Sequence, residues 1–278
     1  MINTNSLRVE DSAYVLNSIG TVLQVQQEYN KALDFHRQAL DIYEKHYSMD
    51  HLNVAYSLHS TGRVLHIQGK YDEALIVHRC ALEIRRKHCD VEHPDIARSL
   101  NNIGNVLNDQ RKYEQALQHC RQALKIRRKY CPCNHPDIAY SLNSIGNILG
   151  SLGKYEEALE NLHQALKIRK NRYTTGHPEI ATSLSSIGDI FRAQEKYDEA
   201  LDMYQQAVTI RERYHPNGHT EIALILNNIG IVYENRCLIE MALKFYQQAL
   251  SMYEGNLSTE HPHCKQIEKN IRRLSSKI

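Results

Sequence analysis

The chain has 278 residues, with 34 Lys and Arg against 32 Asp and Glu, a near-balance that gives no long-range field to draw in nucleic acid or an anionic membrane. No run approaches the ~18 apolar residues of a membrane span, and the opening stretch MINTNSLRVEDSAY lacks the apolar core of a secretory signal. Seven Cys is an odd number for a disulfide framework, so a soluble, cytoplasmic protein with free thiols is expected.

Residues 1–9 are polar and expected to form a frayed, flexible N-terminus. From residue 10 to 260 one pattern recurs. Gly20, Gly62, Gly104, Gly146, Gly188 and Gly230 are spaced by 42, as are Leu16, Leu58, Leu100, Leu142, Leu184 and Leu226. Two alanine series, from Ala32 to Ala242 and from Ala39 to Ala249, keep the same spacing. Six units therefore follow one another without insertion or deletion, the signature of a repeat architecture.

Each unit reads as two helices. In the third, Ile96, Leu100, Ile103 and Leu107 keep the 3–4 spacing of an amphipathic helix. After Gln110-Arg111-Lys112, a second helix carries Tyr113, Ala116, Leu117, Cys120, Ala123, Leu124 and Arg127 at the same spacing. Pro94 suits the first helical turn, and the Arg and Lys of IRRK suit the negative end of the second helix. The expected unit is a hairpin of about 16 and 18 residues, each helix roughly 25 Å long. A mid-helix Gly costs about 1 kcal/mol relative to Ala, so its recurrence points to close approach between the paired helices. One hairpin cannot bury both of its faces, so the units must stack into a solenoid. Residues 261–278 follow as a polar helix, suited to cap the stack.

The series Leu100, Gly104, Tyr113, Ala116 and Ala123 resembles the tetratricopeptide repeat. The 42-residue form, HPDIA…SLNNIG…KYEQAL…ALKIR, is similar to the repeats of kinesin light chains across residues 10 to 262. Departures are Ile239 in place of the usual Tyr, and Leu52 and Thr220 in place of Pro. The resemblance implies an all-α, right-handed superhelical solenoid of antiparallel helix pairs. It also implies that the polar face of each first helix lines a concave groove that binds extended peptides.

That face is expected to carry Arg98, Asn101, Asn102, Asn105, Asn108 and Asp109 in the third repeat. Its equivalents include Asn17, His59, Arg63, His66, Asn143, Asn147, Asp189 and Asn227. An asparagine ladder offers donors and acceptors to the main chain of a bound segment; a solvated polar face, or buttressing of the neighbouring helix, is the plainer alternative. Arg63 and Arg98 are expected to dock an acidic residue of the ligand. Asp109, Asp189 and Glu234 are expected to make the C-terminal half of the groove more acidic. Tyr14, Tyr56 and Tyr140 either offer ring faces there or pack between helices.

Three other readings are weaker. Cys131, Cys133 and His135 lack a standard zinc spacing and a fourth ligand; His93, His135, His177, His219 and His261 recur at one register, which suggests a capping or turn-packing role instead. No Walker, HExxH or GxSxG pattern is present, so neither catalysis nor a cofactor is expected. An RNA reader using the basic ends of the second helices, at Arg85, Arg86, Arg127 and Arg128, is the alternative function, and self-association through the outer ridge is a further option.

Overall fold

The computed structural model describes the backbone of residues 4–214, 220–254 and 262–276, and side chains within those ranges from residue 11 on, except that of Pro262. Among the described residues there are thirteen helices and no strand. Two compact units divide the chain, residues 1–130 and 131–278.

The first unit contains α1 (Thr4–Val25), α2 (Tyr29–His46), α3 (Leu52–Ile67), α4 (Tyr71–His88), α5 (Pro94–Asp109) and α6 (Tyr113–Tyr130). They pair as hairpins α1/α2, α3/α4 and α5/α6, and α2 packs on α3 and α4 on α5. The second unit contains α7 (Pro136–Ser151), α8 (Tyr155–Arg172), α9 (Pro178–Ala193), α10 (Tyr197–Tyr214), α11 (Thr220–Asn235), α12 (Ile239–Glu254) and α13 (Pro262–Ser275). Here α7/α8, α9/α10 and α11/α12 are hairpins, and α13 lies on α12. The solenoid of paired helices is as expected, with 16 residues in α5 and 18 in α6. At the N-terminus the helical backbone begins at Thr4, so residues 4–9 extend α1 instead of lying outside it.

Local chemistry fixes where each helix starts and stops. His51, His93, His135 and His177 are N-caps: each ring Nδ1 accepts the backbone N–H two residues on, at 3.2 Å. This is the usual job of Ser or Asp, and it is the capping role expected of the recurring histidine. His219 and His261 lie outside the described residues. The rings of His51 and His177 also stack on Tyr47 and Tyr173 of the preceding turn, at 4.3 and 3.8 Å between centroids. Each hairpin turn holds a left-handed residue, Gln27, Gly69, Arg111, Gly153, Glu195 or Cys237. In the third repeat this geometry lets the Lys112 N–H reach Leu107 O at 2.8 Å and closes α5.

The waist glycines face the second helix of their own hairpin. A Cβ on Gly104 would lie 2.4 Å from Cys120 Sγ and 3.1 Å from Ala116 O. On Gly146 it would lie 2.6 Å from Leu162 Cγ and 3.1 Å from Ala158 O. The absent methyl lets the rods touch, as the alanine series suggested. The group it makes room for varies, however: His36, His78, Cys120, Leu162, Tyr204 or Tyr246.

Candidate functional site

A first helix inside a stack has two neighbours, its own hairpin partner and the preceding hairpin, so two of its sides are buried. In α5 the buried residues are Ile96, Ala97, Ser99, Leu100, Asn101, Asn102, Ile103, Gly104, Val106 and Leu107. What remains open is a narrow stripe: Arg98 and Asp109 are exposed, Asn105 and Asn108 half-buried. On α3 the same stripe bears Tyr56, Arg63 and His66, and on α1 Tyr14 and Thr21. In the second unit the corresponding register positions are Tyr140 and Asn147 on α7, Asp189 and Arg192 on α9, and Leu224 and Ile231 on α11.

Four of the asparagines assigned to this face belong to the interior instead, Asn102 at 8% exposure among them. Asn17, Asn101 and Asn143 are only 1%, 0% and 5% exposed. Asn143 Oδ1 accepts from Arg169 Nη1 at 2.9 Å, while its Nδ2 donates to Ser186 Oγ of the next hairpin at 3.0 Å. Asn101 Oδ1 accepts from Arg127 Nη1 at 3.1 Å. Asn17 donates to Ser57 at 2.8 Å and meets His36 Nδ1 at 2.9 Å. His59 stands at the same register, buried, with its Nδ1 3.2 Å from Asn102 Nδ2. Of the remaining amides, Asn147 is exposed, Asn105, Asn108 and Asn227 are half-buried, and Asn108 Nδ2 donates to Asp109 at 3.2 Å. The ladder thus joins hairpins to one another.

Its counterpart is the register of Arg127, which keeps the packed spacing of the second helix and whose charge suits the helix end as well. Arg85, Arg127, Arg169 and Arg211 are all buried. Arg85 donates to Ser99 Oγ at 2.6 Å, and Arg169 to Ser183 Oγ at 2.6 Å and Glu179 at 2.8 Å. Arg211 reaches Thr182 Oγ1 at 2.7 Å and pairs with Glu221. Arg85 and Arg127 are therefore not part of a phosphate-tracking surface; of the four residues assigned to that role only Arg86 and Arg128 are exposed. The signal was present in the sequence: Arg recurs at a spacing of 42 together with Ser57, Ser99, Ser141 and Ser183, all four serines fully buried.

Charge on the open stripe differs from expectation too. Asp109 does not belong to a separate acidic half, because its carboxylate lies 2.6 Å from His66 Nε2 within the first unit. Asp189 accepts from the Tyr204 hydroxyl at 2.6 Å and from Asn228 at 2.8 Å, with Arg192 at 3.9 Å. Surrounding protein raises the Asp189 carboxyl above its ordinary range, opposed by Arg192 and the Tyr204 hydroxyl, although 40% of the side chain still meets solvent. Glu234 accepts from Tyr246 at 2.8 Å and pairs with Arg273 of α13 at 2.6 Å. Arg63 and Arg98 are exposed, and Arg98 meets only Asp95 of its own helix, at 3.1 Å, among the described residues. Both act on the same buried ring: burial foremost, then Arg85, His78, Arg63 and Arg98, hold His59 well below the ordinary imidazole range.

Cys131 is half-buried and Cys133 exposed, while His135 is engaged as a cap. No group of three or more His, Cys, Asp or Glu able to hold a metal ion occurs among the described residues. No helix among them is long and apolar enough to cross a membrane.

Comparison with solved structures places this geometry among helical-repeat proteins. The nearly identical TPR-like repeats of a proposed kinesin light chain from Podosopora anserina share 20% identity and a TM-score of 0.57, covering 73% of this chain and 96% of that one. A Rap protein complexed with Competence and Sporulation Factor gives a TM-score of 0.68 at 17% identity, over 96% of this chain and 75% of that one. BtubC from P. vanneervenii gives 0.54 at 15% identity, over 99% and 92%. No curated protein matches the sequence. The tetratricopeptide-repeat family, by contrast, matches residues 11–87, 95–171, 137–213 and 179–255. With six waist glycines, paired helices throughout and this match along nearly all of the repeats, the chain belongs to the tetratricopeptide-repeat family.

Proposed function

We propose that the chain is a non-catalytic interaction module that holds an extended peptide segment along the open stripe of its first helices, an acidic residue of that segment docking against Arg63 and Arg98. Repeats of this family generally mediate protein–protein interaction, and a stacked surface suits an extended ligand because affinity is distributed over many small contacts. The Rap protein that shares the fold is complexed with a factor, which is the same kind of task. A reducing, cytoplasmic setting fits its seven unbridged cysteines.

The observation that carries the docking role is the placement of two exposed guanidinium groups on neighbouring first helices, α3 and α5. Both lie near enough to His59 to lower its proton affinity. That positive field belongs to the open stripe of the first unit, where Tyr14 and Tyr56 are also exposed, at 64% and 41%. Asn105 and Asn147 remain as amides able to meet a ligand main chain; Asn17, Asn101 and Asn143 are excluded by their burial.

The test is titration of an acidic and a neutral peptide library against wild type and Arg63→Glu/Arg98→Glu, followed by fluorescence anisotropy at low and physiological salt. Charge reversal is expected to weaken acidic peptides by about tenfold or more, a difference that shrinks as salt screens it. An unchanged preference for acidic peptides in the variant overturns the docking role.

A further inference from the structure

The outward face of α1 is apolar and uncovered. Val15, Ile19, Val22 and Val25 are 52%, 38%, 55% and 67% exposed. In later repeats the register of the first three is interior. Ser99, Ile103 and Val106 of α5 are 0%, 1% and 0% exposed, and Ile225, Ile229 and Val232 of α11 are 3%, 2% and 0%. In those helices the register packs against the preceding hairpin, so α1 carries the side chains of a stacking surface on which none of the described residues is stacked. Its chemistry agrees: Ser12 to Gln27 includes no Asp, Glu, Lys, Arg or His, and such a helix, apolar on opposite sides, is built to be covered on both.

We propose that this face is covered by α1 of a second copy of the chain, in an antiparallel, two-fold contact. An isologous contact requires a surface that matches itself, and the α1 stripe does. Pairing centred between Ser18 and Ile19 sets Val15 of one copy opposite Val22 of the other, and Val25 opposite Ser12. With no charge between Ser12 and Gln27, two such faces meet without repulsion. The other terminal helix cannot be the occupant. Its buried side is Cys264, Ile267, Asn270 and Leu274, and it turns Lys265, Lys269, Arg272 and Arg273 outward. Placing that cationic side on the valines would strip its charges of water and set them against an apolar stripe. The shared face runs from Asp11 to Gln26, about 24 Å of helix. A contact confined to one pair of helices is small beside the ~800 Å² per partner typical of tight complexes, so association is reversible and rises with concentration.

The experiment is sedimentation of the whole chain from about 5 µM to about 1 mM, the upper end populating even a millimolar contact. Three sequences are compared: wild type, Val15→Glu/Val22→Glu and Val15→Glu/Val22→Lys, with helicity checked by circular dichroism. Wild type is expected to rise from 32.2 kDa towards twice that mass. The Glu/Glu variant, which sets carboxylates opposite one another, is expected to associate at least tenfold more weakly. The Glu/Lys variant, which sets opposite charges face to face in the antiparallel register, is expected to recover association in a salt-sensitive form. A wild type monomeric at every concentration overturns the proposal. So does a Glu/Glu variant that associates like wild type, or a Glu/Lys variant as weak as Glu/Glu. Because the substituted positions are exposed in the single chain, folding is expected to persist in all three.

Discussion

Replacing Arg169 by Met measures what the buried arginine register does. Arg169 is 2% exposed and donates to Asn143 Oδ1 at 2.9 Å and Ser183 Oγ at 2.6 Å, with Glu179 at 2.8 Å. Methionine has a similar reach, so little cavity results and the loss is mainly polar. Glu179, 45% exposed, returns to water. Asn143 and Ser183 stay buried, and the Ser183 hydroxyl, already 3.3 Å from Asn143 Oδ1, repairs part of the damage. A buried polar group left unpartnered costs ~1–3 kcal/mol, and removal of one member of a buried charged pair sets a ceiling of ~3–5 kcal/mol. With methionine filling the space, the expected destabilisation is ~2–3 kcal/mol. At about 2–4 °C per kcal/mol for a chain of this size, Tm falls by roughly 5–10 °C. Lys170→Met, the adjacent exposed residue, is the control and should stay within about 0.5 kcal/mol of wild type. Thermal melts followed by circular dichroism decide the matter. An Arg169→Met chain as stable as Lys170→Met refutes the clamp.

Three further outcomes follow from the same packing. Gly104→Leu forces side-chain bulk into a gap where even a Cβ lies 2.4 Å from Cys120 Sγ, and overpacking of this kind costs ~1–3 kcal/mol or more; a melt superimposable on wild type would count against the close approach. His177→Ala should lose about 1 kcal/mol of cap stabilisation and His177→Asn should recover most of it, whereas equal melts for the two variants would deny the histidine a capping role. Burial, with smaller contributions from His66, Arg85 and Arg63, pushes the His78 imidazole down to about 3, and burial together with Arg63 pushes His36 down to about 4. The unfolded chain therefore takes up these protons first. Stability is full above about 6.5 and declines as pH falls, by at most about 1.4 kcal/mol per pH unit for each histidine. His78→Leu, which adopts the residue found at Leu162, should flatten the dependence of Tm on pH between about 6.5 and 4.5; an unaltered slope would show that His78 does not supply it.

The repeat, the helix lengths and the histidine caps were legible because each depends on one residue type at one fixed spacing. The open face of the first helices was legible only in part. Assigning α5 a single apolar stripe through Leu100, Ile103 and Leu107 supposes a single packing partner, and under that supposition Asn101 points away. Within the stack Ser99, Asn102 and Val106 form a second buried side, and Asn101, lying between the two, is enclosed and answered by Arg127. Arg127 keeps the packed spacing of α6, yet IRRK is also what the negative end of a helix attracts, and the recurrence of Arg with a serine in the four middle hairpins distinguishes the buried arginine from the solvated one beside it. The left-handed turn residue escaped notice because four of its six occupants, Gln27, Arg111, Glu195 and Cys237, are not glycine. The exposure of Arg63 and Arg98 was legible because a charge on an open stripe needs no partner to declare it.

Hydrogen exchange of the asparagine side-chain NH2 groups observes directly which amides are internal fittings and which stand open to solvent. Asn101 and Asn143 should exchange slowly, like core backbone amides, while the exposed Asn147 exchanges at close to the rate of a free carboxamide. Fast exchange at all three sites would return the buried ladder to the surface and contradict the account.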